Sequence, residues 1–415
     1  MDRGMNGSEM QKNNRTLVFK TLLECGKMTR TELASEIGLQ KATITNIVNE
    51  FMEMGIIGTD GDAASGRRGE NICLKLDGIY IMSIGITRRD YQIAIYSLDG
   101  KRVDHLRYQF KKHTDIHIVM EKLKESALGQ QNKFGKKNIA GISLAVPGPY
   151  IIRRKTDERE IFQVSEFEEL SQINIRSELE EALGLPVLMK HDAKLGAYAE
   201  WRNAAEVRED RNASLIIIRS RGFGIGAGLV INGKIVEGQV GIAGEIGHMG
   251  IQYNGRRTQE EITGTFEYCA GMDSVTRYMQ ERLYEFPGSV LHEESTYKDV
   301  TDAYKNNDPL AVYAVNKMAW MLGYGIANII YIINPDCIIL GPDYPEEEAF
   351  IEEVKRVVRE FVHPLVGDSI SIRYSQLSED SFLFGGYYYV LESLLKDNTI
   401  LEKLQQRADS FGKAE

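Results

Sequence analysis

Residues 222–250 read GFGIGAGLVINGKIVEGQVGIAGEIGHMG, and ten of these 29 positions are glycine. The first part, Gly222-x-Gly224-x-Gly226-x-Gly228, runs into the apolar Leu229-Val230-Ile231. Alternate glycines at the mouth of a strand let a backbone approach a phosphate or a sugar with no Cβ in the way. Asn232-Gly233 then predicts a two-residue hairpin turn. Further on, Glu245-x-x-His248 sets a carboxylate and an imidazole three residues apart in a glycine-lined setting. One group accepts hydrogen bonds and the other donates or accepts, which suits a polyhydroxylated ligand.

The strands around this stretch occur twice. Residues 214–218, 227–231 and 234–237 read as strands, with the glycine loop in the first turn and Asn232-Gly233 in the second. Residues 79–86, 91–98 and 103–110 repeat the pattern, with Gly85-x-Thr87 in the first turn and Asp99-Gly100 in the second. Residues 139–146, 186–190 and 337–340 are further buried-strand candidates. The expectation is an α/β protein of two related lobes, with a ligand in the cleft between them.

A separate module precedes the lobes. Residues 16–24 form a short amphipathic pattern, and Thr29-Arg30-Thr31-Glu32 has the form of a capping box that starts a second helix. Gly38-Leu39 ends it, and residues 41–54 make a third helix with Ile44, Ile47, Val48 and Phe51 on one face. Its other face shows Lys41, Thr43, Thr45 and Asn46, the candidates for base or phosphate contact. Strands at 55–57 and 71–76 flank a loop carrying Arg67 and Arg68 between glycines. That is the outline of a wing whose arginines reach a narrow minor groove.

Composition sets limits. The chain has 415 residues and a net charge of −10; the first 76 carry ten basic and ten acidic side chains, so the whole deficit lies in the rest. A neutral segment ahead of an acidic body points to a different partner at the N-terminus. No run approaches the ~18 apolar residues of a membrane span, and residues 1–20 lack a signal-peptide core. Cys25, Cys73, Cys269 and Cys337 lie far apart, as free thiols of a cytoplasmic protein would.

Residues 84–87 (IGIT), Ala145-Val146-Pro147-Gly148-Pro149, His191-Asp192-Ala193, the 222–250 run and Gly264-x-x-Glu267 together resemble the actin-like sugar kinase superfamily, and within it the ROK family of repressors, open reading frames and kinases. The resemblance covers roughly 77–390, and the winged helix matches its repressor branch. It implies a winged helix-turn-helix over 1–76, one ribonuclease H-like lobe over 77–190 and a second over 191–380, with a C-terminal helix in 381–415 returning to the first. It also implies a hexose held by His191, Asp192, Glu245, His248 and Glu267, with Asp192 as the family's general base.

Several positions depart from the family pattern. His191 stands in place of an asparagine. Ser83 replaces an aspartate that manages metal and phosphate, Phe223 replaces a hydroxyl residue, and Gly341-Pro342 replaces a Gly-Gly at the adenosine. Gly85, Thr87, Gly222, Gly224 and Gly226 are then expected to be vestiges of phosphate loops. Three cysteines of a family zinc site are replaced by Thr258, Glu260 and Thr265, so no metal and no cofactor is expected. The expected function is a cytoplasmic, sugar-responsive DNA-binding repressor of carbohydrate genes. It would act on a palindromic operator as a homodimer or dimer of dimers, with a monosaccharide as effector. An active ATP-dependent sugar kinase with an appended DNA-binding domain is the alternative. Residues 311–330 and 387–404 are candidate helices for dimer or lobe contacts.

Overall fold

The structure is a computed structural model that describes residues 7–59, 70–87, 89–111, 114–148, 150–153, 158–161, 170, 173–209, 212–221, 224–257, 262–378, 380–396 and 399–404. The chain divides into two compact units. Unit 1 comprises Met1–Leu144, Ile175–Met189 and Gly386–Glu415, and unit 2 comprises Ala145–Asn174 and Lys190–Gly385.

Unit 1 begins with α1 (Gly7–Cys25), β1 (Met28–Thr29), α2 (Arg30–Ile37), α3 (Lys41–Glu53), β2 (Ile57–Thr59) and β3 (Asn71–Leu74). The first helix starts well before residue 16, because the polar stretch ahead of Arg15 extends it without adding to its buried face. Arg15 Nε also donates to Glu50 Oε2 at 3.0 Å, tying α1 to α3. Thr29 caps α2 reciprocally with Glu32, and Gly38, at φ +74°, ends it in the left-handed conformation. Ile44, Ile47, Val48 and Phe51 of α3 are buried, as are Val18, Phe19 and Leu33 of the neighbouring helices. The three strands pair in the order β1-β3-β2; β2 starts at Ile57, two residues later than the sequence pattern indicates, opposite Leu74. Arg67 and Arg68, read as the wing tip, lie outside the described residues.

The body of unit 1 contains β4 (Tyr80–Ile86), β5 (Asp90–Ser97), β6 (Arg102–Gln109), α4 (Ile116–Phe134), β7 (Ile139–Val146), α5 (Ile175–Leu183) and β10 (Val187–His191). Between β7 and α5 come the paired β8 (Tyr150–Arg153) and β9 (Glu158–Ile161). One sheet runs β10-β7-β4-β5-β6, and β4, β5 and β6 are antiparallel. The segment Ala145–Asn174, assigned from sequence to the first lobe, clusters with unit 2. Its Tyr150 is buried and donates its hydroxyl to Glu237 of that unit.

Unit 2 contains α6 (Asp192–Asn203), α7 (Ala205–Glu209), β11 (Leu215–Arg221), β12 (Gly224–Ile231), β13 (Lys234–Ile235), α8 (Phe266–Ala270), α9 (Met272–Arg282), α10 (Tyr297–Lys305), α11 (Pro309–Ile333), β14 (Cys337–Leu340), α12 (Glu348–Phe361), α13 (Pro364–Gly367) and β15 (Ser371–Tyr374). Helix α14 (Ser381–Lys396) crosses from unit 2 into unit 1 at Gly386. The second sheet runs β13-β12-β11-β14-β15, an antiparallel trio followed by parallel strands. It carries the same hairpin trio as the first sheet. Asn232 (φ +49°) and Gly233 (φ +71°) both adopt the left-handed conformation that the two-residue turn requires. Ile216, Ile218, Ile338 and Leu340 face a core shared with α9–α12.

One expectation needs correcting. Gly224, Gly226 and Gly228 do not form the first turn of the trio but lie inside β12, opposite Arg221, Arg219 and Ile217 of β11. Antiparallel pairing extends to the very end of β11, where Arg221 faces Gly224.

Candidate functional site

The residues expected to grip a sugar all belong to unit 2 or to the junction that opens it. His191 ends β10 and Asp192 starts α6. His191 Nε2 lies 3.2 Å from Asp192 Oδ1, and both side chains are nearly buried. Asp192 Oδ1 also accepts from the Ala193 amide at 2.7 Å, which fixes the carboxylate at the helix start. On the glycine-rich return loop, Glu245 precedes a 3₁₀ turn, Ile246–His248. Glu267 lies in the first turn of α8, and its Oε1 is 3.3 Å from His248 Nδ1.

Electrostatics joins these residues. Burial pushes the Glu245 carboxyl up; His248 and Lys194 oppose this, while Glu267 and Asp192 reinforce it. The hydrogen bond to Glu267 raises His248 above the ordinary imidazole value, against a smaller effect of burial. Three carboxylates and one imidazole thus lie within interaction range, and Glu245 prefers its neutral form more than a free carboxyl does. Such a set suits a ligand with several hydroxyls, whose donated hydrogen bonds would replace lost hydration.

Sequence reasoning missed the supports beneath this set. Lys194 is 1% exposed and donates to the Gly241 carbonyl at 2.5 Å. Lys190 Nζ lies 2.5 Å from Glu237 Oε1, the same oxygen that Tyr150 reaches at 3.1 Å. Lys194 and Glu200 stand in the run 193–201, which the structure buries along its whole length, and nothing in the local sequence marks them off from the solvated residues of a helix.

The glycines serve packing more than ligand approach. A Cβ on Gly228 would collide with the Ala193 carbonyl and the Ala197 methyl of α6. One on Gly244, at φ +101°, would strike the Ala227 carbonyl, whose residue's own amide donates to Gly244 at 2.8 Å. A Cβ on Gly247 would lie 2.9 Å from Glu267 Oε2. Gly226 alone of the strand's three glycines has open space above it, and the Cβ position of Gly224 looks onto Glu267 Oε2 at 3.6 Å. Gly222 and Phe223 lie outside the described residues.

The residues read as remnants of phosphate chemistry have other partners. Ser83 is fully buried and pairs with Ser143 Oγ at 3.0 Å, beneath Gly386. Gly85 lies within β4, opposite Gln92. Thr87 Oγ1 donates to Asp90 Oδ1 at 2.6 Å and accepts from the Arg89 and Asp90 amides, closing a local turn. In unit 2, Arg219 Nε donates to Asp343 Oδ2 at 3.1 Å, and the arginine stem lies 2.9 Å from where a Gly341 Cβ would stand. An ion pair therefore spans the Gly341-Pro342 turn. Of the replaced zinc positions, Thr265 caps α8 and donates to the Ile262 carbonyl at 3.0 Å, while Thr258 and Glu260 lie outside the described residues. Thr265 offers no thiolate and its hydroxyl is engaged, so it does not fit a zinc site.

On α3, Lys41 and Asn46 are exposed, and Thr43 and Thr45 are half-buried. The Thr45 hydroxyl donates to the Lys41 carbonyl at 2.8 Å, which leaves its lone pairs available to a nucleic-acid donor. Among the described residues no group of His, Cys, Asp or Glu is arranged to hold a metal ion, and no helix is long and apolar enough to cross a membrane.

The winged helix-turn-helix DNA-binding family model matches residues 13–57. The xylose repressor of Bacillus spizizenii is 25% identical over 93% of this chain and 97% of its own length. A glucokinase of Halalkalibacterium halodurans is 31% identical over 52% of this chain and 67% of its own. A crystal structure of a ROK family transcriptional regulator, a homologue of the Escherichia coli Mlc protein, superposes with a TM-score of 0.79 at 22% identity, covering 96% of this chain and 99% of that one. The ROK family model matches residues 81–393, and the chain belongs to the ROK family.

Proposed function

We propose that the protein is a sugar-responsive transcriptional repressor of carbohydrate-utilisation genes, which binds a palindromic operator through α3 and senses a monosaccharide with the degenerate kinase body. One observation carries the reading. A single chain joins a capped helix-turn-helix, with Lys41 and Asn46 exposed on its second helix, to a body whose Asp192, Glu245, His248 and Glu267 converge. The named similarity to a xylose repressor over nearly the whole chain supports the same reading.

The body acts as sensor rather than kinase. Support comes from Ser83, which is fully buried against Ser143, and from the Arg219–Asp343 pair across the turn expected to meet adenosine. His191 and Asp192 would take the sugar from one side, and Glu245, His248 and Glu267 from the other. The sugar acts on DNA binding only through unequal affinity for two conformations; about 2–3 kcal/mol of coupling changes operator affinity by one to two decades. The protein works without zinc or another cofactor, in the cytoplasm, as a homodimer or dimer of dimers.

Mobility-shift titration of DNA from upstream of the gene, with D-xylose, D-glucose and N-acetylglucosamine as probes, tests this reading. Release or tightening of the complex by one sugar, without ATP, is the expected result. ATP turnover in a coupled assay, abolished by Asp192→Asn, would instead establish a sugar kinase with an appended DNA-binding domain.

A further inference from the structure

Helix α14 is continuous where the chain divides, with Ser381–Gly385 in unit 2 and the rest, from Gly386, in unit 1. The glycine pair at that point leaves room for no side chain. A Cβ on Gly385 would collide with the Leu195 carbonyl of α6, the helix that Asp192 starts, and one on Gly386 with the Ser143 hydroxyl of β7. Beyond the pair, the Tyr387 hydroxyl donates to the Leu98 carbonyl at 2.7 Å. The far end of the helix meets the DNA-binding module. Thr16 Oγ1 of α1 donates to the Leu395 carbonyl at 3.3 Å, and the adjoining Arg15 donates to Glu50 of α3. Both α1 side chains are half-buried. Successive residues of a helix point about 100° apart, so Thr16 and Arg15 address different neighbours.

We propose that Thr16 and Arg15 are positioning residues for the recognition helix α3, and that α14 carries the state of the sugar site to them. A hydrogen-bonded helix moves as a rod, so a shift of α6 at Leu195 is felt at Leu395, about 15 Å along α14 from Gly385. Thr16 takes up that shift, and Arg15 passes it to Glu50 on α3. The Thr16 bond is long for a hydroxyl donor, so a displacement of about 0.5 Å breaks or tightens it. A contact with two discrete arrangements, biased from both ends, is what couples distant sites. This coupling rests on the repressor reading of the chain.

Fluorescence anisotropy of the full chain on operator DNA, with and without saturating D-xylose, D-glucose or N-acetylglucosamine, tests the assignment. Thr16→Val keeps the side-chain shape and removes the donor. The sugar that moves wild-type affinity should bind Thr16→Val equally well without DNA, yet change its operator affinity by less than about a third of the wild-type factor. Thr16→Ser, which restores the hydroxyl, should recover the full factor. A merely structural role would weaken operator binding equally with and without sugar. That result, or a wild-type factor in Thr16→Val, overturns the proposal and leaves the repressor reading intact. Should none of the three sugars act on the wild type, the repressor reading fails, and hydrogen exchange of the sugar-free protein decides the positioning role. Tyr387→Phe loosens α14 outside the DNA-binding module and should speed exchange of amides in 7–25 and 41–53 by about threefold or more. Adding Thr16→Val should bring no further gain, since the two changes cut one path. Exchange unchanged by Tyr387→Phe, or gains that multiply independently, overturns the proposal.

Discussion

The buried ammonium of Lys194 donates to the carbonyl of Gly241, 47 residues away, and clasps the start of α6 to the loop that carries Glu245 and His248. The same positive charge also draws the Glu245 carboxyl downward against the effect of burial. One lysine therefore holds the loop in place and favours ionised Glu245. Lys194→Met fills similar volume but removes both effects. The unpaired Gly241 carbonyl should cost about 1–3 kcal/mol, read as a lower urea midpoint. Any sugar-induced rise in melting temperature should shrink as well. An unchanged midpoint together with an unchanged sugar shift would show that the clasp has neither role.

The glycines of β12 make a paired test, because their surroundings differ. Gly228→Ala places a methyl into the Ala193 carbonyl and the Ala197 side chain, so overpacking should cost about 1–3 kcal/mol or more. Gly226→Ala meets nothing within 4 Å and should leave stability within about 0.5 kcal/mol of the wild type. Thermal unfolding of the two variants side by side reads the difference. Equal losses would mean that the strand, and not the helix above it, demands glycine.

These two positions also show what the sequence could convey. Asn232-Gly233 and the capping box at Thr29 are local devices, whose chemistry is complete within a few residues, and each appears where the pattern puts it. The function of Gly228 depends on α6, which lies more than 25 residues earlier, so the alternate glycines read as a loop when they are a strand fitted under a helix. Lys194 was invisible for a related reason. A lysine near a helix start reads as solvated until the packing around it is known. Thr87 looked like part of a phosphate loop, yet its hydroxyl closes a turn with Asp90, a bond that spacing alone does not distinguish.

The His248–Glu267 pair and the half-buried Glu245 set a pH dependence of one sign. Glu267 raises the His248 value in the folded protein, so that stabilisation is complete below the ordinary value of 6.5 and is lost as pH rises through the folded value. Burial raises Glu245 above 4.5, so its neutral form is favoured in the fold, and that contribution too is lost as pH rises through the raised value. Urea unfolding from about pH 4.5 to 8 should show both. Glu245→Gln should flatten the acidic part of the profile, and Glu267→Gln the part above 6.5. Because His248 is largely exposed, its effect should be the smaller.

Lys41 and Asn46 should separate by how they fail. Lys41 stands at the exposed start of α3, where a phosphate contact contributes without regard to sequence. Lys41→Ala should weaken operator and random DNA alike and reduce the slope of affinity against salt by about 1. Asn46→Ala should cost about 1–3 kcal/mol on the operator, with little change on random DNA. Fluorescence anisotropy over a series of salt concentrations distinguishes the two, and identical behaviour would place both residues on the backbone.

Ser83 tests whether the kinase chemistry has been lost at one residue or through its surroundings. Its hydroxyl sits fully buried against Ser143, with Gly386 so close that a Cβ there would collide with the Ser143 hydroxyl. If loss of a carboxylate were the whole story, Ser83→Asp would restore ATP-dependent turnover of a sugar. The packing argues otherwise. A carboxylate at 83 would be buried within the sheet, so Ser83→Asp should lower stability by about 3 kcal/mol or more. Ser83→Ala, which removes a single hydrogen bond, should cost about 1 kcal/mol. Neither variant should consume ATP with D-glucose or D-xylose in a coupled assay. Turnover by Ser83→Asp at near-wild-type stability would show that the pocket is intact and that a single substitution silenced it.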